Sequence, residues 1–213
     1  MPYHHGRLRE ALLERAAEVI AEGGVESLSL RGLARDLGVS HAAPGRHFAD
    51  RAALLRALAV EAFERSVAAM DLGAEAAGAD PVARYRALGR SYVAFARSQP
   101  AFFRAMHHPA VRASADGTLH DVVDEWVARL REGAAAAQAA GWHPEADPEV
   151  LVAFSVAAAF GAATILSEGF FGSHLNVDDV ESFADGVLAL VVERTGESKE
   201  NADEHTSDER RAS

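Results

Sequence analysis

Between Ser29 and Leu55 the chain reads SLRGLARDLGVSHAAPGRHFADRAALL, a run that leaves few folds open. Leu30, Leu33, Ala34 and Leu37 recur at the i, i+3, i+4, i+7 spacing of an amphipathic helix. Gly38 predicts its end, because helices commonly close on a left-handed residue and glycine enters that region without a Cβ penalty. Val39 is apolar and Ser40 is a good N-cap, so a second helix is expected over His41 to His47. Helix, glycine turn, polar cap and helix make up the helix-turn-helix pattern. Pro44 falls fourth after the cap and is read as harmless there, its missing N–H being taken to have no partner in the helix. Gly45 costs that helix about 1 kcal/mol relative to alanine.

The rest of the chain is helical too. Leu8, Leu12, Ala16, Val19 and Ile20 line the inner face of a helix over 8–22, stopped by Gly23-Gly24. With Val25, Leu28, Leu33, Leu37, Val39 and Phe48 they predict a small three-helix core. Asp50 caps a longer helix from Arg51 to about Leu72, and 73–80 reads as a loop of small residues. Asp80-Pro81 opens a helix to about Ser98 with Tyr85, Leu88, Tyr92 and Phe95 on one side. A short helix carries Phe102, Phe103 and Met106, and 110–117 reads as a loop. A helix over 118–140, ended by Gly141, places Leu119, Val122, Val123, Trp126 and Leu130 inward. Asp147-Pro148 opens another to about Gly169, and Asn176 or Asp178 caps the last, through Val180, Phe183, Val187, Leu190 and Val191 to Arg194. No segment alternates with period two, so the chain is all-α with about nine helices. We expect a DNA-binding helix-turn-helix domain over 1–50, a ligand-binding and dimerisation domain over 51–194, and a disordered acidic tail over 195–213.

Leu33-Ala34, Gly38-Val39-Ser40, Phe48, Arg51 and Leu54-Leu55 stand at the spacing of a known motif. Over about residues 7 to 56 the chain resembles the DNA-binding domain of the tetracycline-repressor (TetR) family of bacterial transcriptional regulators. The opening Tyr3-His4-His5-Gly6-Arg7-Leu8 is similar to one subgroup, marked by a Trp-His-Gly signature in the C-terminal domain; aligned on Gly161, that signature is replaced here by Val156 and Phe160. Gly45 occupies the place of the family's recognition-helix tyrosine, which typically touches a DNA phosphate. The resemblance implies a homodimeric, ligand-responsive regulator, most often a repressor, acting on operator DNA in the cytoplasm. Candidate DNA contacts are Arg31, Ser40, His41, Ala42, Arg46, His47 and Arg51. Ser40, His41 and Ala42 open the recognition helix, where base edges are read. Arg46, His47 and Arg51 are assigned to phosphates, and Arg7 with the residues before it to an arm along the backbone.

The net charge of −11 is unevenly spread. Residues 1–56 hold eight arginines against seven acids, and 195–213 hold six acids against three bases, so most of the acidity lies between. Phosphate neutralisation is local to the residues that reach the backbone, and the overall sign does not exclude DNA. Cysteine is absent, which removes disulfides and thiolate metal sites. No apolar run reaches the length of a membrane span by this reading; the nearest, Val150 to Leu166, is interrupted by Ser155, Gly161 and Thr164. No signal-peptide core is evident at the N-terminus. Gly-rich phosphate loops, G-x-S-x-G and H-E-x-x-H are missing, and the pairs His4-His5 and His107-His108 are adjacent, which points them apart on a helix. Neither catalysis, a metal nor a cofactor is expected.

Nine of the ten phenylalanines and both tryptophans follow residue 56. Tyr92, Phe95, Phe102, Phe103, Met106, His107, Trp126, Phe154 and Phe160 are the candidate lining of an effector pocket, with His108 and His120 as further polar members. Such sites are mostly apolar with a few polar groups, and an apolar or aromatic effector is expected. Ala153, Ala157 and Gly161 make a flat stripe on the penultimate helix; the family resemblance implies that it and the final helix form a four-helix dimer interface. The rival reading, prompted by Gly45, is a helical small-molecule-binding protein whose DNA binding is weakened or lost.

Overall fold

The computed structural model describes residues 5–113 and 115–168, together with 182, 183, 186 and 187. The last helix expected up to Arg194, the tail over 195–213 and the arm before Arg7 lie largely or wholly outside the described residues. Within them the chain folds into eight α-helices and two single 3-10 turns, with no strand. The helices are α1 (His5–Gly23), α2 (Leu30–Asp36), α3 (Arg51–Ala76), α4 (Pro81–Ser98), α5 (Pro100–His107), α6 (Pro109–Ala113), α7 (Gly117–Ala139) and α8 (Pro148–Glu168).

The boundaries follow the capping chemistry. Ser29 accepts from the Gly32 N–H at 3.1 Å, Asp50 from Ala53 at 2.7 Å, Asp80 from Val82 at 3.1 Å and Asp116 from Leu119 at 3.1 Å, each answering a donor that a helix start leaves open. Gly38 lies at φ 64°; its N–H bonds the Arg35 carbonyl and Val39 bonds back to Ala34, the paired bonds of a Schellman close. Gly141, at φ 93°, ends α7 in the same way, and the next residue, Trp142, is fully buried.

Three elements depart from the sequence reading. The segment expected as loop over 73–80 begins late, because α3 runs on to Ala76. Gly73 sits inside that helix, and a Cβ there would lie 2.0 Å from the Ser91 hydroxyl oxygen, so the glycine serves the close approach of α4. The expected loop over 110–117 contains α6, opened by Pro109 in the first turn. The recognition helix over His41 to His47 is absent: a turn at Ser40–Ala43 leads into a 3-10 turn, Pro44–Arg46. Pro44 is the cause. The fourth residue after the cap is the first whose N–H reaches a helix carbonyl, that of Ser40, and proline cannot supply it. Ala43 takes the Ser40 carbonyl at 2.9 Å instead, and i→i+3 bonds follow from Arg46 to Ala43 and from His47 to Pro44.

A head and a body result. In the head, Leu12, Leu13, Ala16 and Ile20 of α1 close over Leu33 and Ala34 of α2, Phe48, and Leu54, Leu55 and Leu58 of α3. Each fully buried leucine contributes about 1.5–3 kcal/mol. Arg15 ties α1 to α2 through Asp36 at 3.1 Å. In the body, α3 packs on α4, α5, α6 and α7, and α8 lies on α4 and α7. Arg65 of α3 joins the two halves: its guanidinium bonds Glu14 of α1, Glu61 at 2.9 Å and the Gln99 side chain at 2.9 Å, and it stacks 4.1 Å above the Phe102 ring.

The stretch Pro148–Ser167 of α8 has a mean hydropathy of 2.1 and is long and apolar enough to cross a membrane, contrary to the sequence reading. Ser155, Gly161 and Thr164 break the run in residue type without lowering its mean below that of a span. Only 28% of it is buried, and Val150, Phe154 and Phe160 stand among the exposed large apolar side chains.

Candidate functional site

Between α2 and α3 the chain turns one face inward and one outward. Pro44 and Phe48 are the inward anchors, both buried, with the Arg9 guanidinium 5.9 Å from the Phe48 ring centroid. Ser40, His41, Ala42, Gly45 and Arg46 are exposed between and beside them, and His47 is half-buried. Arg31 is exposed on α2. All seven residues assigned to DNA by sequence are therefore at least partly open to solvent, five of them on one short loop and Arg31 and Arg51 on the helices to either side. A Cβ at Gly45 would meet nothing within 4 Å, so the missing tyrosine leaves open space.

Arg51 behaves differently from the sequence reading. Its guanidinium turns back across the head, donating to the Val25 carbonyl at 2.7 Å and to Glu26 at 3.0 Å. Those bonds brace the 3-10 turn after α1 against the start of α3. The side chain assigned to a phosphate is committed to the fold.

In the body, a partly open cavity of about 30 Å³ lies between α3, α4, α7 and α8. Of the nine residues assigned to an effector pocket, Tyr92 and Trp126 line it. Trp126 is oriented by its indole N–H, which donates to the buried Ser66 hydroxyl at 3.2 Å. Phe103, His107 and Phe160 gather behind Tyr92: Tyr92 to Phe103 is 5.8 Å between ring centroids, Phe103 to His107 4.9 Å and His107 to Phe160 4.6 Å. Phe95 and Met106 belong to the general core, Phe102 lies under Arg65, and Phe154 is exposed on the outer side of α8. His108 accepts the Ala110 N–H at its Nδ1, and His120 is exposed beside the Asp116 carbonyl, so neither enters the cavity.

Sequence reasoning missed Met70, Tyr85, Arg86, Leu88, Leu130, Ser155 and Val156 as lining. For Tyr85, Leu88 and Leu130 the signal was present, since the helical spacing put them on the inward faces of α4 and α7. Arg86 carried none, because an arginine beside an inward tyrosine reads as surface.

The Tyr92 hydroxyl and the His107 Nε2 are hydrogen-bonded at 2.8 Å. Burial pushes the His107 imidazole down to about 4, aided by the nearby Arg112 charge, and burial raises the Tyr92 phenol. Both are neutral at pH 7, as an apolar enclosure demands of groups without a counter-charge. Burial also raises Tyr85, opposed by the nearby Ser155 hydroxyl. That hydroxyl donates to the Leu151 carbonyl at 2.8 Å, and Tyr85 forms no hydrogen bond of good geometry. No cluster of three or more metal-ligating side chains occurs among the described residues.

No curated protein sequence matches the chain. Two family models do: one described as "Bacterial regulatory proteins, tetR family" over residues 12–58, the other as "Tetracyclin repressor-like, C-terminal domain" over residues 85–191. Among solved structures, a protein of unknown function from Rhodococcus sp. RHA1 is 35% identical, with a TM-score of 0.76 over 90% of this chain and 96% of that one. The TetR family transcriptional regulator PfmR from Thermus thermophilus is 23% identical, with a TM-score of 0.65 over 86% and 99%. AibR, solved in complex with isovaleryl coenzyme A and operator DNA, is 21% identical, with a TM-score of 0.65 over 85% and 96%. The head with its exposed inter-helix loop, the all-helical body and the two matched domains together place this chain in the TetR family of DNA-binding transcriptional regulators.

Proposed function

We propose that the protein is a homodimeric, non-enzymatic repressor that leaves operator DNA when a small apolar or aromatic effector enters its body. The carrying observation is the loop between α2 and α3: buried Pro44 and Phe48 fix it, while Ser40, His41, Ala42 and Arg46 stand outward. Ser40, His41 and Ala42 are positioned for base edges, and Arg46, Arg31 and His47 for phosphates. Two copies related by a two-fold axis read half-sites about 34–36 Å apart. The dimer contact uses the outer face of α8, where Ala153, Phe154 and Ala157 are exposed, together with the final helix. An effector lodged between α3, α4, α7 and α8 shifts the long α3, and with it the spacing of the two heads. A switch from 1:99 to 99:1 requires about 5.5 kcal/mol of preference for the released state.

A gel-shift titration on the DNA upstream of the chain's own gene tests this. Arg46→Ala is expected to weaken binding uniformly across operator variants and to lower the salt-dependence exponent by about one. His41→Ala is expected to relax preference at one base position. Equal affinity for every DNA by the parent protein would remove the repressor reading.

The 3-10 turn where a recognition helix was expected favours a second reading, a small-molecule-binding protein with weakened DNA binding. Gly45→Tyr separates the two, since the position has room for the ring. A gain of about tenfold in operator affinity marks a working regulator carrying one contact fewer; a change from no detectable binding to specific binding marks decay.

A further inference from the structure

The cavity wall is apolar on most sides, formed by Met70, Leu88, Trp126, Leu130, Val156 and Ala159. Four polar side chains also reach it: Tyr85, Arg86, Tyr92 and Ser155. Two of these are committed, Tyr92 to His107 and Ser155 to the Leu151 carbonyl. The other two are not. Among the described residues, the Tyr85 hydroxyl and the Arg86 Nε are both buried and make no hydrogen bond of good geometry, the Tyr85 oxygen having only the Ser155 hydroxyl nearby. Arg86 has no ion pair among the described residues, and no carboxylate lines the cavity. Two neighbouring donors, one of them on a cationic side chain, thus face a space whose described lining offers no carboxylate and, among side chains not already committed as acceptors, only the Ser155 hydroxyl oxygen. A buried donor without an acceptor is costly, and one on a charged group more so, so an acceptor brought from outside would relieve both.

The cavity's volume, about 30 Å³, holds a head group and nothing larger. Room for the remainder lies next door. A surface groove of about 510 Å³ runs between α3, α4 and α7, and Tyr85 and Leu88 line both spaces. The partition is therefore a single layer of side chains, made of those two residues. It rests on bare backbone at Gly133, where a Cβ would stand 2.9 Å from Leu88 Cδ1 and 2.9 Å from Tyr85 Cδ2. Cavity and groove joined fall within the usual 300–1,000 Å³ of ligand sites.

Building on the effector-cavity reading above, we propose that this site takes an apolar carboxylic acid. Its carboxylate sits between the Arg86 guanidinium and the Tyr85 hydroxyl, and its chain passes the Tyr85–Leu88 partition into the groove. The guanidinium donates charge-assisted hydrogen bonds and the phenol a third, a donor set that suits a planar, singly charged head. The alcohol of the same chain length gives up the charge and is held less well.

The test uses the full-length protein without DNA, titrated with octanoate and with octan-1-ol and followed by Trp126 fluorescence and calorimetry. Octanoate is expected to bind at least tenfold tighter than octan-1-ol. Arg86→Gln and Tyr85→Phe are each expected to weaken octanoate at least fivefold and to leave octan-1-ol unchanged, with Arg86→Lys retaining part of the preference. Melting curves identify any variant that fails to fold, and Tyr85→Phe, which deletes one oxygen, keeps the test valid if Arg86→Gln does. Gly133→Ala is expected to slow association at least threefold by wedging the partition. Absence of octanoate binding, equal binding of the alcohol, or octanoate affinity indifferent to both substitutions overturns the proposal; an unchanged association rate in Gly133→Ala overturns the route. Arg86-dependent octanoate binding with no release of operator DNA upholds the site and removes the repressor reading instead. Operator release by an uncharged compound, with no carboxylate preference in the titration, removes this proposal alone.

Discussion

His107 makes the fold sensitive to acid. In the unfolded chain its imidazole titrates near 6.5, whereas in the folded protein burial and the Arg112 charge hold it down to about 4. Between those values the unfolded chain takes up a proton that the folded one refuses. Stability from this residue is therefore intact above pH 6.5 and falls as pH drops toward 4, by roughly 3 kcal/mol in all. Thermal melts at pH 7.5, 6 and 5 should show a steeper loss in the parent than in His107→Gln, and parallel curves would remove the assignment. At this scale the sequence was legible where a residue's role is local. Gly38, Gly141, Asp50 and Asp80 were read correctly because turn and cap chemistry depends on a few adjacent bonds. Arg51 was not, since its partners Val25 and Glu26 lie far back in the chain and only the folded head brings them together.

Helices with a strong apolar period were readable, and α1, α2, α4, α7 and α8 sit close to their expected bounds. The misreadings fall where one residue's meaning depends on a neighbouring element. Gly73 looked like the start of a loop and is a contact point between two helices. Pro44 looked tolerable when the helix N-terminus was counted one donor too generously. Gly133 shows how much such a position carries. In α7 a glycine is a poor helix former, yet Tyr85 and Leu88 rest directly against it. Gly133→Val is expected to destabilise the protein by about 1–3 kcal/mol, despite the better backbone entropy of valine, because the crowded partition has nowhere to go. Urea unfolding measures this; a stabilised variant would mean that the two side chains yield freely.

Across the whole molecule, the two-part plan was more readable in the sequence than the cavity. Aromatic content pointed to the body as the half that would hold a cavity, but cavity position depends on how four helices cross, and most of the expected aromatics became core. α8 carries three of the four exposed large apolar side chains among the described residues, Val150, Phe154 and Phe160, and the small side chains of its outer face match the dimer contact proposed above. Ala157→Glu is expected to shift the protein from dimer to monomer in analytical ultracentrifugation and to cost operator binding at least tenfold, while the melting temperature of the monomer changes little. A dimer that survives the charge would place the contact elsewhere. The guanidinium of Arg65 sets a last condition on movement. Because one side chain grips α1, α3, the α4–α5 junction and an aromatic ring at once, the head has little liberty to nod on its own body. Release from an operator then has to travel through α3 itself, head and long helix moving as one lever, like the arm of a pair of callipers whose reach between tips is altered while the head stays fixed to its shaft.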